Sequence, residues 1–167
     1  MRLRDASLSP CVGDPVEKRI SEVLESWMGT QYLPGQCCKG VAVDCVGFVL
    51  GVLMDLSGET GFVRAEWPQD ASMHDAKGSF KAMKVIAENF KPYKIIRDGF
   101  IEPGDVIVVG PHGGGPGHGM IVGARKNTIW HATGDGVQYT GISHLWLTDQ
   151  RIFRIYRYLR KESWLLT

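Results

Sequence analysis

Residues 44–58 read DCVGFVLGVLMDLSG, and the way this stretch folds decides the architecture. Its apolar side chains surround the segment almost completely, which is the pattern of a central helix or of a buried strand. A run of more than ten residues without turn residues other than small glycines, stopping at Ser57-Gly58, selects the helix. Cys45 then stands in the first turn of a buried helix. Unpaired backbone N–H groups and the helix dipole favour an anion there, so its thiolate is expected to be stabilised relative to a free thiol.

Upstream, TQYLPGQCCKGVAV (residues 30–43) contains two glycines and a proline and reads as a loop. Before it, Asp14-Pro15-Val16-Glu17 sets an N-cap, a first-turn proline and a capping-box glutamate in order. Val16, Ile20, Val23, Leu24, Trp27 and Met28 follow at helical spacing, one apolar stripe that Gly29 ends. Residues 1–13 are mixed and polar and read as an arm. Downstream of the central helix, residues 58–78 are irregular, and Phe80, Met83, Ile86, Ala87 and Phe90 mark a surface helix that ends before Pro92.

The second half changes period. A turn at Glu102-Pro103-Gly104-Asp105 leads into the β-branched run Val106–Val109, and strands are expected at 120–122, 128–131, 137–139 and 151–158. Helices first and an antiparallel meander second predict an α+β domain, with N-terminal helices packed on a C-terminal sheet. The domain is placed at residues 14–160, followed by a tail at 161–167 whose Trp164, Leu165 and Leu166 are too apolar for a free end and suit docking.

The 167 residues fit one domain. Nineteen basic against eighteen acidic residues, a net charge of +1, give no field suited to nucleic acid. The sequence lacks a run of roughly 18 apolar residues and a signal-type apolar region at its start, so a soluble, cytosol-made chain without membrane insertion is expected. Cys11, Cys37, Cys38 and Cys45 form no C-x-x-C pair, and neighbouring Cys37 and Cys38 suit a tetrahedral ion poorly, so neither a metal site nor a cofactor is expected. The glycine cluster from Gly110 to Gly119 lacks the Lys and Ser or Thr of a phosphate loop. It reads as a hairpin connection or as a bare rim to a cleft.

A thiolate acting on a peptide needs a group to hold its proton and deliver it to a leaving amine, most often an imidazole. His118 and His131 lie on adjacent β segments, and in a hairpin pair their rings sit side by side, one on the thiolate and one orienting its partner. Individually each has a plainer reading, as packing for the cysteine and as solvated side chains for the histidines. Their combination is the specific signal. Cys11, Cys37, Cys38, His74, His112 and His144 read as structural or surface residues, and Arg151, Arg154, Arg157 and Arg160 as a solvated edge. The five tryptophans could suggest a saccharide platform, but Trp27 and Trp130 fall on core-facing positions, which makes core packing the default.

In order and spacing, Trp27-Met28-Gly29-Thr30-Gln31-Tyr32, Val43-Asp44-Cys45-Val46-Gly47-Phe48-Val49, Pro103-Gly104-Asp105-Val106, Gly117-His118-Gly119-Met120-Ile121-Val122-Gly123 and Trp130-His131-Ala132 resemble the NlpC-type cell-wall peptidases. These are papain-like cysteine hydrolases that cleave bonds to D-glutamate in peptidoglycan stem peptides. The resemblance implies a papain-like fold with Cys45 as nucleophile, His118 as general base and His131 as the residue that orients it. It also implies substrate binding by Tyr32 and Asp44, an oxyanion contact from the Cys45 N–H, and no metal or cofactor. The Asp-Cys-aliphatic-Gly form is similar to the short single-domain versions of phage and gene-transfer-agent tail clusters. That implies a virion location at a tail tip or baseplate after cytoplasmic synthesis, hub proteins as partners, and action at the host cell wall or periplasm. Val46 replaces the family's serine, Gly35-Gln36 replaces a Gly-Gly pair, and a separate wall-binding module is not seen. Those departures, with the apolar tail, motivate a second reading: an inert tail-tip or baseplate component that keeps the fold.

Overall fold

In a computed structural model, residues 14–58, 93–97, 100–159 and 161–166 are described. Helix α1 (Pro15–Ser26) starts as its capping residues dictate, with the Asp14 carboxylate accepting the Val16 N–H at 2.8 Å. Its stripe buries Ile20, Val23 and Leu24, and Trp27 joins them at the C-cap. Met28 departs from the expected stripe and is 47% exposed. The helix has ended by then, and Gly29, at φ 73°, turns the chain away.

Residues 30–43 are more ordered than a loop. They form a small sheet from β1 (Gln31–Tyr32), β2 (Cys37–Cys38) and β3 (Ala42–Val43), in the order β1-β3-β2. Two-residue strands are too short to print an alternating pattern in a sequence. Their order comes from particular bonds: the Gly40 N–H donates to Thr30 Oγ1 at 3.0 Å and the Asp44 N–H to the Gln36 carbonyl at 3.0 Å.

Helix α2 (Cys45–Ser57) is the central helix, with every residue from Cys45 to Leu53 buried. Gly58 stops it in the left-handed conformation, φ 68°, donating to the Met54 carbonyl at 2.9 Å. Gly47 lets the 30–43 segment lie directly on the first turn of α2. A methyl group there would run into the Gln36 carbonyl oxygen and come within 3.1 Å of the Cys37 Cβ. Gly47→Ala is therefore expected to cost about 1–3 kcal/mol through overpacking against backbone. A fall of several degrees in Tm checks this, and an unchanged Tm would show that the segment yields.

The second half forms one antiparallel sheet, in the order β4-β9-β5-β6-β7-β8. Its strands are β4 (Tyr93–Ile96), β5 (Val106–Pro111), β6 (His118–Val122), β7 (Thr128–Thr133), β8 (Gly136–Gly141) and β9 (Gln150–Tyr158). Alternate residues serve opposite faces. Val106, Val108, Ile121, Trp130 and Tyr156 share a core with α1 and α2. On the other face Ile107, Val109, Met120, Val122 and Ile129 pack with Leu145 of the short helix α3 (Ser143–Leu147). The five expected strands are all present. β4 and α3 were not anticipated, the first being four residues long and the second five, without a side-chain cap. The arm over 1–13 and the helix expected over Phe80–Phe90 lie outside the described residues.

Two features at the end of the chain also depart from expectation. Arg157 is no solvated edge: its guanidinium reaches the Asp105 carboxylate, which is 0% exposed, with Nη2 at 2.8 Å and Nε at 3.0 Å. Lys161–Leu165 form a 3-10 turn that inserts Trp164 into the core, stacked on Tyr158 with ring centroids 5.2 Å apart. The segment read as a tail thus packs on its own domain, while Leu165 and Leu166 stay exposed.

Candidate active site

Strands β6 and β7 pair at Ile121↔Trp130 and Val122↔Ile129, and then they part. Beyond that point His118–Met120 continues its ladder with β5, and His131–Thr133 continues its ladder with β8. The N-terminal end of α2 lies against this fork, with the Cys45 carbonyl and the Val49 side chain beside Gly119. Cys45 heads the helix and the two histidines stand on the diverging strands. Cys45, His118 and His131, together with Tyr32, line one cavity of about 490 Å³.

The histidine rings meet as their strand positions suggested: His118 Nε2 lies 3.2 Å from His131 Nδ1. One of these nitrogens donates and the other accepts, because the burial of both rings favours their neutral forms. Burial first, and then His131, pushes the His118 pKa down to about 4. Burial first, and then His144, lowers that of His131.

Cys45 differs from the expectation drawn from its helix position. The N–H groups of Gly119, Val46 and Cys45 itself do favour the thiolate, but burial outweighs them and pushes the thiol up to about 11, with the Asp44 charge adding to the rise. Three N–H dipoles do not replace the water lost around an anion in the core. Cys45 is thus held as a thiol and His118 as a neutral imidazole, both on the wall of the same cavity.

Asp44 is buried and acts as the helix N-cap. Its Oδ1 accepts the Gly47 N–H at 2.6 Å and its Oδ2 the Gly35 N–H at 2.7 Å, so the carboxylate ties the small sheet to α2. It is not among the residues lining the cavity. Tyr32 is, half-buried, and its hydroxyl pKa is raised by burial and then by Cys45 and Asp44. The rim adds residues the sequence reading left out, namely His144, Thr148 and Gln150. They come from α3 and the turn into β9, and nothing in the sequence pattern announced that helix. Of the glycine cluster, Gly117 reaches the cavity wall. His112 stays exposed, its N–H bonded to the Asp149 carbonyl.

These shifts set a pH dependence of stability. The unfolded chain binds a proton at His118 near the ordinary value of 6.5, the folded one near 4, so stability falls as pH drops through that window. Cys45 ionises near 9 when unfolded and near 11 when folded, so stability also falls as pH rises through that range. Tm is expected to be highest between these two limbs, and His118→Asn should weaken the acid limb. An acid limb unchanged by that substitution would show that other groups cause it.

No protein-family profile matches the chain, and no curated protein sequence does. Solved structures do. The NlpC/p60 domain of the peptidoglycan hydrolase SagA is 18% identical with a TM-score of 0.51, over 83% of this chain and 96% of that one. NlpC2 from Trichomonas vaginalis is 16% identical with a TM-score of 0.57, over 87% of this chain and 48% of that one, so the present chain spans about half its length. The chain has the α+β, papain-like fold of these NlpC/p60 domains.

Proposed function

We infer that the chain is a cysteine hydrolase of peptidoglycan stem peptides, cutting bonds to D-glutamate. The observation that carries this reading is the 3.2 Å contact between His118 and His131 on the wall they share with Cys45. With Nε2 of His118 donating to Nδ1 of His131, Nδ1 of His118 is left unprotonated and free to act as base. As the Cys45 sulfur attacks the scissile carbonyl, the thiol proton passes to His118. The N–H groups at the head of α2 face the carbonyl oxygen as it gains charge. His118 then protonates the departing amine, leaving a thioester on Cys45. Water attacks that ester, giving up a proton to His118, and the thiol is restored.

The hydrolase is carried in a phage-tail-like particle, docked on hub proteins at a tail tip or baseplate, and acts at the wall of the host. The Asp-Cys-aliphatic-Gly form at Asp44–Gly47 supports this placement. Digestion of purified sacculi followed by mass analysis of the products tests the reaction. New amino termini on D-glutamate or on the residue after it are expected. New reducing sugar ends, or no products at all, would overturn the assignment, and the second outcome would favour the inert structural component.

A further inference from the structure

A second pocket, of about 310 Å³, opens on the α1 side of the sheet. Its walls come from Ser21, Glu25 and Met28 of the α1 region, Arg125 of the turn between β6 and β7, and Trp130 and Tyr139 of β7 and β8. Two features suit it to a ligand with one apolar and one polar side. Tyr139 is 47% exposed and leans on Trp130, ring centroids 5.2 Å apart at 41°, and Met28 is equally exposed, so the pocket presents an aromatic face and a thioether to solvent. Opposite them stand the Glu25 carboxylate and the Arg125 guanidinium, 3.4 Å apart, with the Ser21 hydroxyl close by in the lining. This pair carries opposite charges that cancel, so the pocket selects neither anions nor cations.

Trp130 adds direction. It is 6% exposed and sits on the pocket wall, and its indole N–H has no acceptor among the described residues. The N–H is not one of the fully buried atoms left without a partner, so it is open to the pocket and can donate to an incoming carbonyl oxygen. The volume is at the small end of ligand pockets, which run from about 300 to 1,000 Å³, and suits a single ring.

We propose that this pocket binds one N-acetylated hexosamine unit of a glycan strand. The sugar's apolar ring face lies on Tyr139 and Met28. Its hydroxyls meet Glu25, Arg125 and Ser21, and its acetamido carbonyl accepts the Trp130 indole N–H. The choice of an N-acetylated sugar rests in part on the peptidoglycan reading above. From Thr128, on this pocket, to His131, on the catalytic cavity, β7 runs only about 10 Å at roughly 3.3 Å per residue. The pocket would hold the glycan while its stem peptide is processed nearby.

Titration with chitotriose, an N-acetylglucosamine oligomer without any stem peptide, tests the site separately from hydrolysis. Saturable movement of the Trp130 indole N–H resonance is expected. Cellotriose, which lacks the acetamido group, should bind about tenfold more weakly or worse. Tyr139→Ala should weaken chitotriose about tenfold while leaving cleavage of a soluble stem peptide unchanged. Should that variant prove unstable, Ser21→Arg blocks the mouth from the surface of α1 and should also abolish the shift. Absence of a saturable shift, equal response to cellotriose, or undiminished binding in both variants would overturn the proposal. Loss of hydrolysis with chitotriose binding intact would instead count against the catalytic reading alone.

Discussion

Cys45→Ala and His118→Ala are each expected to drop hydrolysis of a stem peptide to the same floor, at least about a thousandfold below wild type in kcat/KM, and the double variant is expected to fall no lower. The reason lies in the resting state of the pair. Burial holds Cys45 as a thiol, pushed up to about 11, and His118 as a neutral base, pushed down to about 4. Neither works without the other: a thiol without a base is a weak nucleophile, and a base without the thiol has no proton to take. His131→Ala should cost less, because in the proposed mechanism His131 only orients His118, through their 3.2 Å contact. Kinetics on one soluble substrate would decide this. A double variant far below both single ones would mean that the two residues act independently.

Asp105→Ala is expected to destabilise the fold by about 3–5 kcal/mol, the cost of removing one partner from a buried ion pair. Asp105 is fully buried and receives Arg157 at 2.8 Å and Lys161 at 3.4 Å, and it also accepts the Glu102 N–H at 2.8 Å. Arg157 keeps the more exposed Glu102 as a second partner at 2.7 Å. Lys161 still donates to the Pro103 carbonyl at 2.6 Å. Neither contact replaces a buried carboxylate. The change also loosens the seat of the 161–165 turn, which carries Trp164 into the core. In a domain of this size, each kcal/mol moves Tm by roughly 2–4 °C, so a fall on the order of 10 °C is expected. A fall below about 2 °C would mean that the three charges are better solvated than their burial indicates.

Much of this arrangement was legible in the sequence, for definite reasons. DCVGFVLGVLMDLSG is apolar all round and stops at a left-handed glycine, so the helix, its burial and the place of Cys45 at its head follow from one stretch. Strands β5 to β9 were readable because β-branched runs separated by turn residues leave a plain mark. The two histidines were readable as neighbours on adjacent strands, although their rings meet 3.2 Å apart where β6 and β7 have already parted. The small sheet over 31–43 was not readable, since its strands have two residues each and owe their order to tertiary contacts such as those of Thr30 and Asp44. Arg157 looked like an exposed edge charge because its partner Asp105 lies 52 residues away. His144 is exposed, as the sequence suggests, and only a five-residue helix without a sequence mark brings it to the cavity rim. The state of Cys45 departs from the expectation for a physical reason. Its position in the helix favours an anion, but burial, which the sequence does not quantify, opposes it more strongly.

The central claim, that Cys45 carries the acyl group between two half-reactions, is tested most directly by intact-mass spectrometry of protein quenched in acid during turnover of a stem peptide. The account predicts a species heavier by the acyl portion of the substrate, located on Cys45 and removed by hydroxylamine as a thioester. Turnover at an equal rate in wild type and Cys45→Ala, with no such species in either, would contradict it.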